Sequence, residues 1–493
     1  MKLRILFLFT ALAPHLHAQL FQWAHGFGSQ YQNNISTSVK YDKQGDCFIS
    51  GYFRGTVDFD PGPAVHSLAA SGRAMYIAKF DTYGNYAWAI DVDMGGNTYY
   101  GFTLDVDSAE NVLLSGTFNG TADFDPGPGV YSLTSISNQD GLVAKYDANG
   151  NFVWAFTIGA NGGSTFVASD NQADVIVCGG FTGASVDFDP GTGVSTMSTT
   201  GNANGTFIAK YDAGGNYLWS KSISSPVQGS SVLAESVSAM PGGDIIVSGF
   251  LNYTADFDPG PGVDTVSTSW QNKTFIARYD ANGNFISVFA IQMSEYLHGT
   301  KSRVDINGNI FLGGSFQATA DMDPGPGVST LSALGYCSSF IAKYDPSGNL
   351  QWAHSFGHSS TYTAGMSLDC DLAGNVFLTG YFSDTVDFDP GPGVADLISD
   401  TARDAYVVRY DSNGNYTGGF NIPTAHGYSI AADWNGSIYL TGTFFSPHSD
   451  FDPEPPVYAL TPLGQQDFYI AKYASLPLSV EQDSPVNEMT VFP

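Results

Sequence analysis

Apolar and polar positions along the chain alternate in short runs, as in "SIYLTGTF" (437–444) and "FIAKYD" (340–345). Such runs are rich in Val, Ile, Phe and Tyr and are bounded by Gly, Asn and Asp, the signature of half-buried strands. No stretch shows helical periodicity. Paired runs flank a D-x-x-G-N sequence, which predicts a hairpin whose Gly supplies the positive φ of a bulged type I turn. The leading Asp is placed to accept from backbone two residues on. The unit reads as four strands: A ends at an Asp ("SIAAD", 429–433), B is "SIYLTGTF", C is the "FIAKYD" run, and D carries a Trp ("NYLWS", 216–220).

The unit recurs. The block "DLAGNVFLTGYF" (371–382) is echoed by "DINGNIFLGGSF" (305–316) and "DWNGSIYLTGTF" (433–444). Likewise "FIAKYDAGGNYLWS" (207–220) returns as "LVAKYDANGNFVWA" (142–155) and "FIAKYDPSGNLQWA" (340–353). A third block, "VDFDPGPGV" at 386–394, keeps step in the long B-to-C connection. Its aspartate pairs are Asp58/Asp60, Asp123/Asp125, Asp187/Asp189, Asp256/Asp258, Asp321/Asp323, Asp387/Asp389 and Asp450/Asp452, spaced 63 to 69 residues apart.

Seven units of four antiparallel strands without helix predict an all-β, seven-bladed β-propeller. The last unit, ending in "FYIAKYA" (468–474), is followed by no Trp strand. The missing strand stands at the other end, where "LFQWAHGFG" (20–28) matches "LQWAHSFG" (350–357). The N-terminal strand is therefore expected to complete the last blade and close the ring, leaving no open sheet edge.

Composition adds a compartment and excludes a partner class. With 18 basic against 47 acidic residues, the formal net charge is −29, so nucleic acid is not an expected partner. Residues 1–18 read as a signal peptide: Lys2 and Arg4, an apolar run over 5–13, and Ala18 at the cleavage position. That run is too short to span a bilayer, and no later segment is long enough. The expected mature chain is a propeller over 19–474, exported, monomeric, and secreted or held at the cell surface. Residues 475–493 form a linker and tail. Cys47, Cys178, Cys337 and Cys370 occupy unlike places in the repeat and have no zinc spacing; they read as small buried side chains, with room for one incidental disulfide.

Asp371 to Tyr381 and Ala342 to Gly348, with their equivalents in each unit, resemble the bacterial SBBP repeats, which pair a D-x-x-G-N-x-Y-x-x-G-Y block with an A-K-x-D-x-x-G block. The resemblance covers about 20–474 and implies a propeller in an extracellular or envelope setting, without catalytic residues to carry over. The tail "LPLSVEQDSPVNEMTVFP" (476–493) resembles the opening of the C-terminal sorting domain of the type IX secretion system, cut short before the strands that usually follow.

In each aspartate pair, the carboxylates at i and i+2 share a face and the Phe between them points inward. Crowded carboxylates need either capping by the backbone amides of the Gly-rich loop, such as Gly391 onto Asp389, or a bound cation. Calcium is the alternative stabiliser, although one D-x-D cannot fill its shell and the order is not that of a dedicated calcium loop. The basic residue of the "AK" block lies two before an Asp, as in Lys343 and Asp345, and predicts an ion pair near the C–D turn. Trp23, Trp88, Trp154, Trp219 and Trp352 share one position and read as packing. Trp270 and Trp434 break the pattern, and Trp270 is the expected ligand contact.

An enzyme on this scaffold needs unlike residues gathered from several blades. His298, His358 and His426 lie in three successive D–A connections and are the candidates, as metal ligands or acid–base groups. The leading expectation is a non-catalytic binding module for a glycan or an envelope protein. The alternatives are a polysaccharide hydrolase or lyase, and a structural spacer in a larger surface protein.

Overall fold

The computed structural model describes residues 19–30, 34–93, 102–137, 139–159, 165–183, 185–199, 203–225, 227–268, 272–358 and 362–475, without the side chains of 19, 294–299 and 400–402. The expected signal peptide (1–18), most of the tail and Trp270 lie outside the described residues. So does the side chain of His298.

All regular structure among the described residues is β, in antiparallel ladders. The first sheet runs Ile35–Tyr41, Cys47–Asp58, Ser67–Phe80, Tyr86–Asp93, each strand paired with the next. Four-stranded sheets begin in the same way at Thr103–Val106, Thr165–Ser169 and Thr363–Cys370. Two further units share one long strand, Phe285–Val304. Its first part is the outer strand of the unit that begins at Ser231–Ala239, and its second part opens the next unit against Ile310–Asp321. The remaining sheet is assembled from both chain ends: Gln19–Phe27 pairs with Asp467–Ser475, which pairs with Ile438–Phe444, then Ala425–Ala432.

The hairpin turns follow from their residues. Asp371 N–H donates to the Asn375 carbonyl, Gly374 N–H returns to the Asp371 carbonyl, and Gly374 has φ +75°. Two turns lack the glycine, and there Glu110 and Ala173 take φ of 67° and 62°, a conformation that L side chains adopt at a cost.

The first strands of the units touch in succession. Ile35–Tyr41 meets Thr103–Val106, then Thr165–Ser169, Ser231–Ala239, Phe285–Val304, Thr363–Cys370 and Ala425–Ala432, and the last meets Ile35–Tyr41 again. Serines stitch these contacts: the Leu104 amide donates to Ser38 Oγ (3.1 Å), Ile430 to Ser367 Oγ (3.3 Å), and Val39 to Ser429 Oγ (3.2 Å). Between the sheets lie separate apolar clusters, such as the one joining Phe48, Ile77 and Val92 to Leu104, Leu114 and Leu142.

The outer strands latch unit to unit. Trp88 Nε1 donates to the Ala148 carbonyl (3.0 Å), Trp154 to Ala213 (3.2 Å), Trp219 to Ala281 (3.2 Å) and Trp352 to Ser412 (3.2 Å), each acceptor lying in the next unit's C–D turn. The ring rests on that turn's glycine, where a Cβ on Gly150 would come within 3.0 Å of Trp88. Each indole thus has its polar atom satisfied while its face excludes water.

The long B-to-C connection is a paired ribbon, since Asp384–Asp387 pairs with Asp396–Ser399 and Thr121–Asp123 with Ser132–Thr134. One expectation needs correction. The "AK" cations do not pair with the Asp two residues on: most pair with the A–B turn, while Lys343 Nζ donates to the Ser412 carbonyl (2.9 Å) and Lys472 Nζ to the Thr82 carbonyl (3.1 Å). Lys145 meets Asp107 at 2.7 Å, Lys210 meets Asp170 and Asp174 at 2.8 and 3.1 Å, and Lys79 meets Asp42 and Asp46 at 3.1 Å. The reason is that the later Asp already belongs to its own turn: Asp345 accepts from the Ser347 and Asn349 amides and from Asn349 Nδ2. The four cysteines are free thiols, with no disulfide among them.

Candidate binding site

Every D-x-D loop is closed by its own backbone. In "VDFDPGPGV", Asp387 Oδ1 accepts from the Asp389 amide (3.0 Å) and the Ala395 amide (2.8 Å), joining the two arms of the ribbon. Asp389 Oδ1 accepts from Gly391 N–H at 2.7 Å, and its other oxygen lies where a Cβ on Gly393 would stand. Phe388 is fully buried, and its carbonyl accepts from Tyr410 Oη at 2.9 Å. The pattern repeats at Asp58, Asp123, Asp187, Asp256, Asp321 and Asp450, each accepting from amides two and eight residues on. The second aspartates Asp60, Asp125, Asp189, Asp258 and Asp323 each cap the glycine amide two residues on, and Asp452 caps Glu454. Among the described residues no three His, Cys, Asp or Glu side chains are placed to hold a metal ion together.

The histidines have separate surroundings. His358 Nδ1 faces Asp384 at 3.8 Å. His426 stacks on Tyr381 (centroids 4.2 Å, 23°) and its Nδ1 meets Tyr428 Oη at 3.1 Å. Burial, and then the Arg403 guanidinium, push the His426 imidazole down to about 4, so it is a neutral packing group at pH 7.

The feature that sequence reasoning missed is a cavity among the first strands of the units. It has an outer part of about 420 Å³, lined at its mouth by A–B turns, and a deeper part of about 130 Å³. Residues from each of these strands line it, including Lys40, Asp105, Phe166, Ser238, Arg303, Asp369 and Tyr428. Trp434, 54% exposed, stands at the mouth.

Strand direction explains the lining. Residues two before the A–B turn Asp reach the cavity at Lys40, Asp105, Ala168, Arg303 and Asp369, with Ser238 two before Met240, while their equivalent Ala431 is buried between the sheets. Asp105 Oδ2 is held by the Ser169 amide (2.7 Å) and hydroxyl (2.8 Å), and its Oδ1 faces Lys40 Nζ at 3.7 Å. Asp369 accepts from the amides of Cys370 (2.9 Å) and Ala432 (3.1 Å) and from Arg303 Nε (2.6 Å). Deeper, Lys301 Nζ donates to the Glu235 carbonyl (3.0 Å) and sits 4.6 Å over the Phe166 ring. Burial and then the nearby Arg303 lower the Lys40 pKa; burial lowers that of Lys301; the Asp369 charge raises that of Arg303.

No family model matches the chain. It is similar to an uncharacterised WD repeat-containing protein of Acanthamoeba polyphaga mimivirus, 23% identical over an alignment covering 94% of this chain and 40% of that protein. The chain thus spans less than half the length of that relative. Among solved structures it is similar to the Dos1 propeller (8% identity, 92% of this chain and 95% of that one, TM-score 0.40) and to a polysaccharide lyase (11%, 91% and 92%, TM-score 0.43). Identities of this order transfer no site residue. In its repeats and its four-stranded antiparallel sheets, the chain is a β-propeller-like repeat protein.

Proposed function

We propose that the chain is an exported, non-catalytic binding module: a closed seven-bladed propeller over 19–474 that receives a ligand in the cavity among its inner strands. The observation that carries this reading is where the repeat breaks. The D-x-D loops, turn glycines and indole latches repeat because they build blades; Lys40, Asp105, Arg303 and Asp369 do not repeat, and they meet in one place. Ring closure is supported by the pairing of Gln19–Phe27 with Asp467–Ser475 and by the return contact between the last and first inner strands.

Export rests on the 1–18 leader and the SBBP-like motifs, and surface sorting on the tail's likeness to a type IX sorting domain. Calcium has no part in this reading, because one oxygen of each carboxylate already accepts backbone amides and among the described residues no three acidic side chains converge on a cation position. A propeller fold by itself selects no activity, so the cavity must carry the argument. The test is a ligand-observed NMR screen of sugars, small acids and peptides against the wild type and Trp434→Ala. Hits that weaken in the variant and are recovered unchanged support the reading. An empty screen, hits indifferent to Trp434, or turnover of a hit contradict it.

A further inference from the structure

We propose that the cavity binds a carboxylate-bearing small molecule of sugar-acid size, its carboxylate held between Lys40 and Arg303. This rests on the reading of the cavity as the ligand site and adds the chemistry of what enters it.

The chain is short of cations: 18 among 493 residues, seven of them (Lys79, Lys145, Lys210, Arg278, Lys343, Arg409 and Lys472) committed to the repeated "AK" position. Lys40, Lys301 and Arg303 nevertheless line one cavity. Gathering like charges away from bulk water is unfavourable, and the depressed pKa of Lys40, in part from Arg303, is its signature. Such an arrangement is compensated when an anion arrives.

The local carboxylates are poor substitutes for that anion: at the mouth Asp42, Asp107 and Asp170 pair with Lys79, Lys145 and Lys210, while Asp305 and Asp371 accept from amides of their own turns. Asp105 and Asp369 are turned toward backbone amides of the next strand, which fixes their oxygens at the wall. Lys40 feels the charges of Asp105 and Asp369, but the carboxylate facing it, Asp105, stands at 3.7 Å, beyond hydrogen-bonding distance. Arg303 donates through Nε alone to Asp369; among the described residues no acceptor meets its terminal nitrogens. An ammonium and the outer edge of a guanidinium therefore face the space with donors to offer, a combination suited to a carboxylate.

Size and lining narrow the class. An outer volume of about 420 Å³ exceeds that of a bare inorganic ion. Ser238 Oγ donates to the Ser302 carbonyl (3.3 Å) and Asn171 Nδ2 to the Pro241 carbonyl (3.0 Å), which leaves their oxygens as acceptors for a hydroxylated ligand, and Trp434 offers an exposed indole at the mouth for its apolar face.

Isothermal titration of the full chain at low salt with glucuronate, glucose, sulfate and phosphate tests this. Glucuronate is expected to bind, glucose at least tenfold more weakly. Lys40→Met should weaken glucuronate at least tenfold while leaving the Tm of the free protein unchanged or raised, because it removes a repelling charge. Arg303→Lys, which keeps the charge toward Asp369, should weaken it as well. Glucuronate binding no better than glucose, undiminished binding in a folded Lys40→Met, or sulfate and phosphate binding without glucuronate would each overturn the proposal. A neutral sugar or a peptide seated at Trp434 would overturn it too, while leaving the cavity a ligand site.

Discussion

Trp23 Nε1 donates to the carbonyl of Thr82, 59 residues away, at 3.2 Å, and the indole lies on Gly84, where an added Cβ would come within 2.8 Å of the ring. Trp88 makes the same contact with Gly150, and Trp154 with Gly215, between units adjacent in sequence. The seam between the two ends of the array is thus built like the seams within it. Trp23→Ala is expected to cost about 3–5 kcal/mol, the usual penalty for a buried aromatic, and to match Trp154→Ala. Gly84→Ala should also destabilise, since φ is +85° and the ring blocks a Cβ. Urea denaturation of the three variants checks this; a Trp23→Ala protein as stable as wild type contradicts it.

The D-x-D loops predict a contrast between isosteres. Asp387→Ala removes the acceptor of two amides and should cost about 1–3 kcal/mol, whereas Asp387→Asn keeps a carbonyl oxygen in place and should cost under about 1 kcal/mol. Thermal unfolding in EGTA and in millimolar calcium should coincide. A calcium-dependent rise in Tm would mean that these carboxylates hold a cation through the oxygens that accept no amide.

Much of this was legible in the sequence because it repeats. Hairpin glycines, buried Phe388 and its equivalents, and the Trp position announce themselves by recurrence, and so does the four-strand unit. Alternation misassigns the "AK" cations because it stops at the turn: Lys145 and Lys210 find their Asp across the sheet in the A–B turn, and Lys343 finds the Ser412 carbonyl in the next unit. The cavity escaped because recurrence hides it: Lys40 and Arg303 stand at the same place in their units, yet that place holds Ala in two others. Comparing the residue two before each A–B turn Asp would have exposed them. The D–A connection expected around His298 is instead part of one continuous strand, Phe285–Val304, shared by two units.

His426 makes a prediction with a definite sign. Its imidazole protonates near 6.5 when unfolded and about 4 when folded, so the unfolded chain binds the extra proton between those values. The stability carried by neutral His426 is full above pH 6.5 and is lost as pH falls toward 4. Between pH 7 and 4.5 the Tm of the wild type should therefore fall by a few degrees more than that of His426→Gln. Parallel curves would show that the histidine is not held neutral.

The most direct test of ring closure is a cross-link between the two ends. Ala24 and Ala471 are opposed in the ladder joining Gln19–Phe27 to Asp467–Ser475, and both are fully buried. Directly opposed strand residues lie at Cα separations a disulfide bridges. With the four native cysteines replaced, Ala24→Cys/Ala471→Cys should oxidise in the folded state to a circular chain of altered gel mobility and raised Tm, and neither single variant should. A folded double variant whose thiols remain free under the same oxidant would contradict the closed ring.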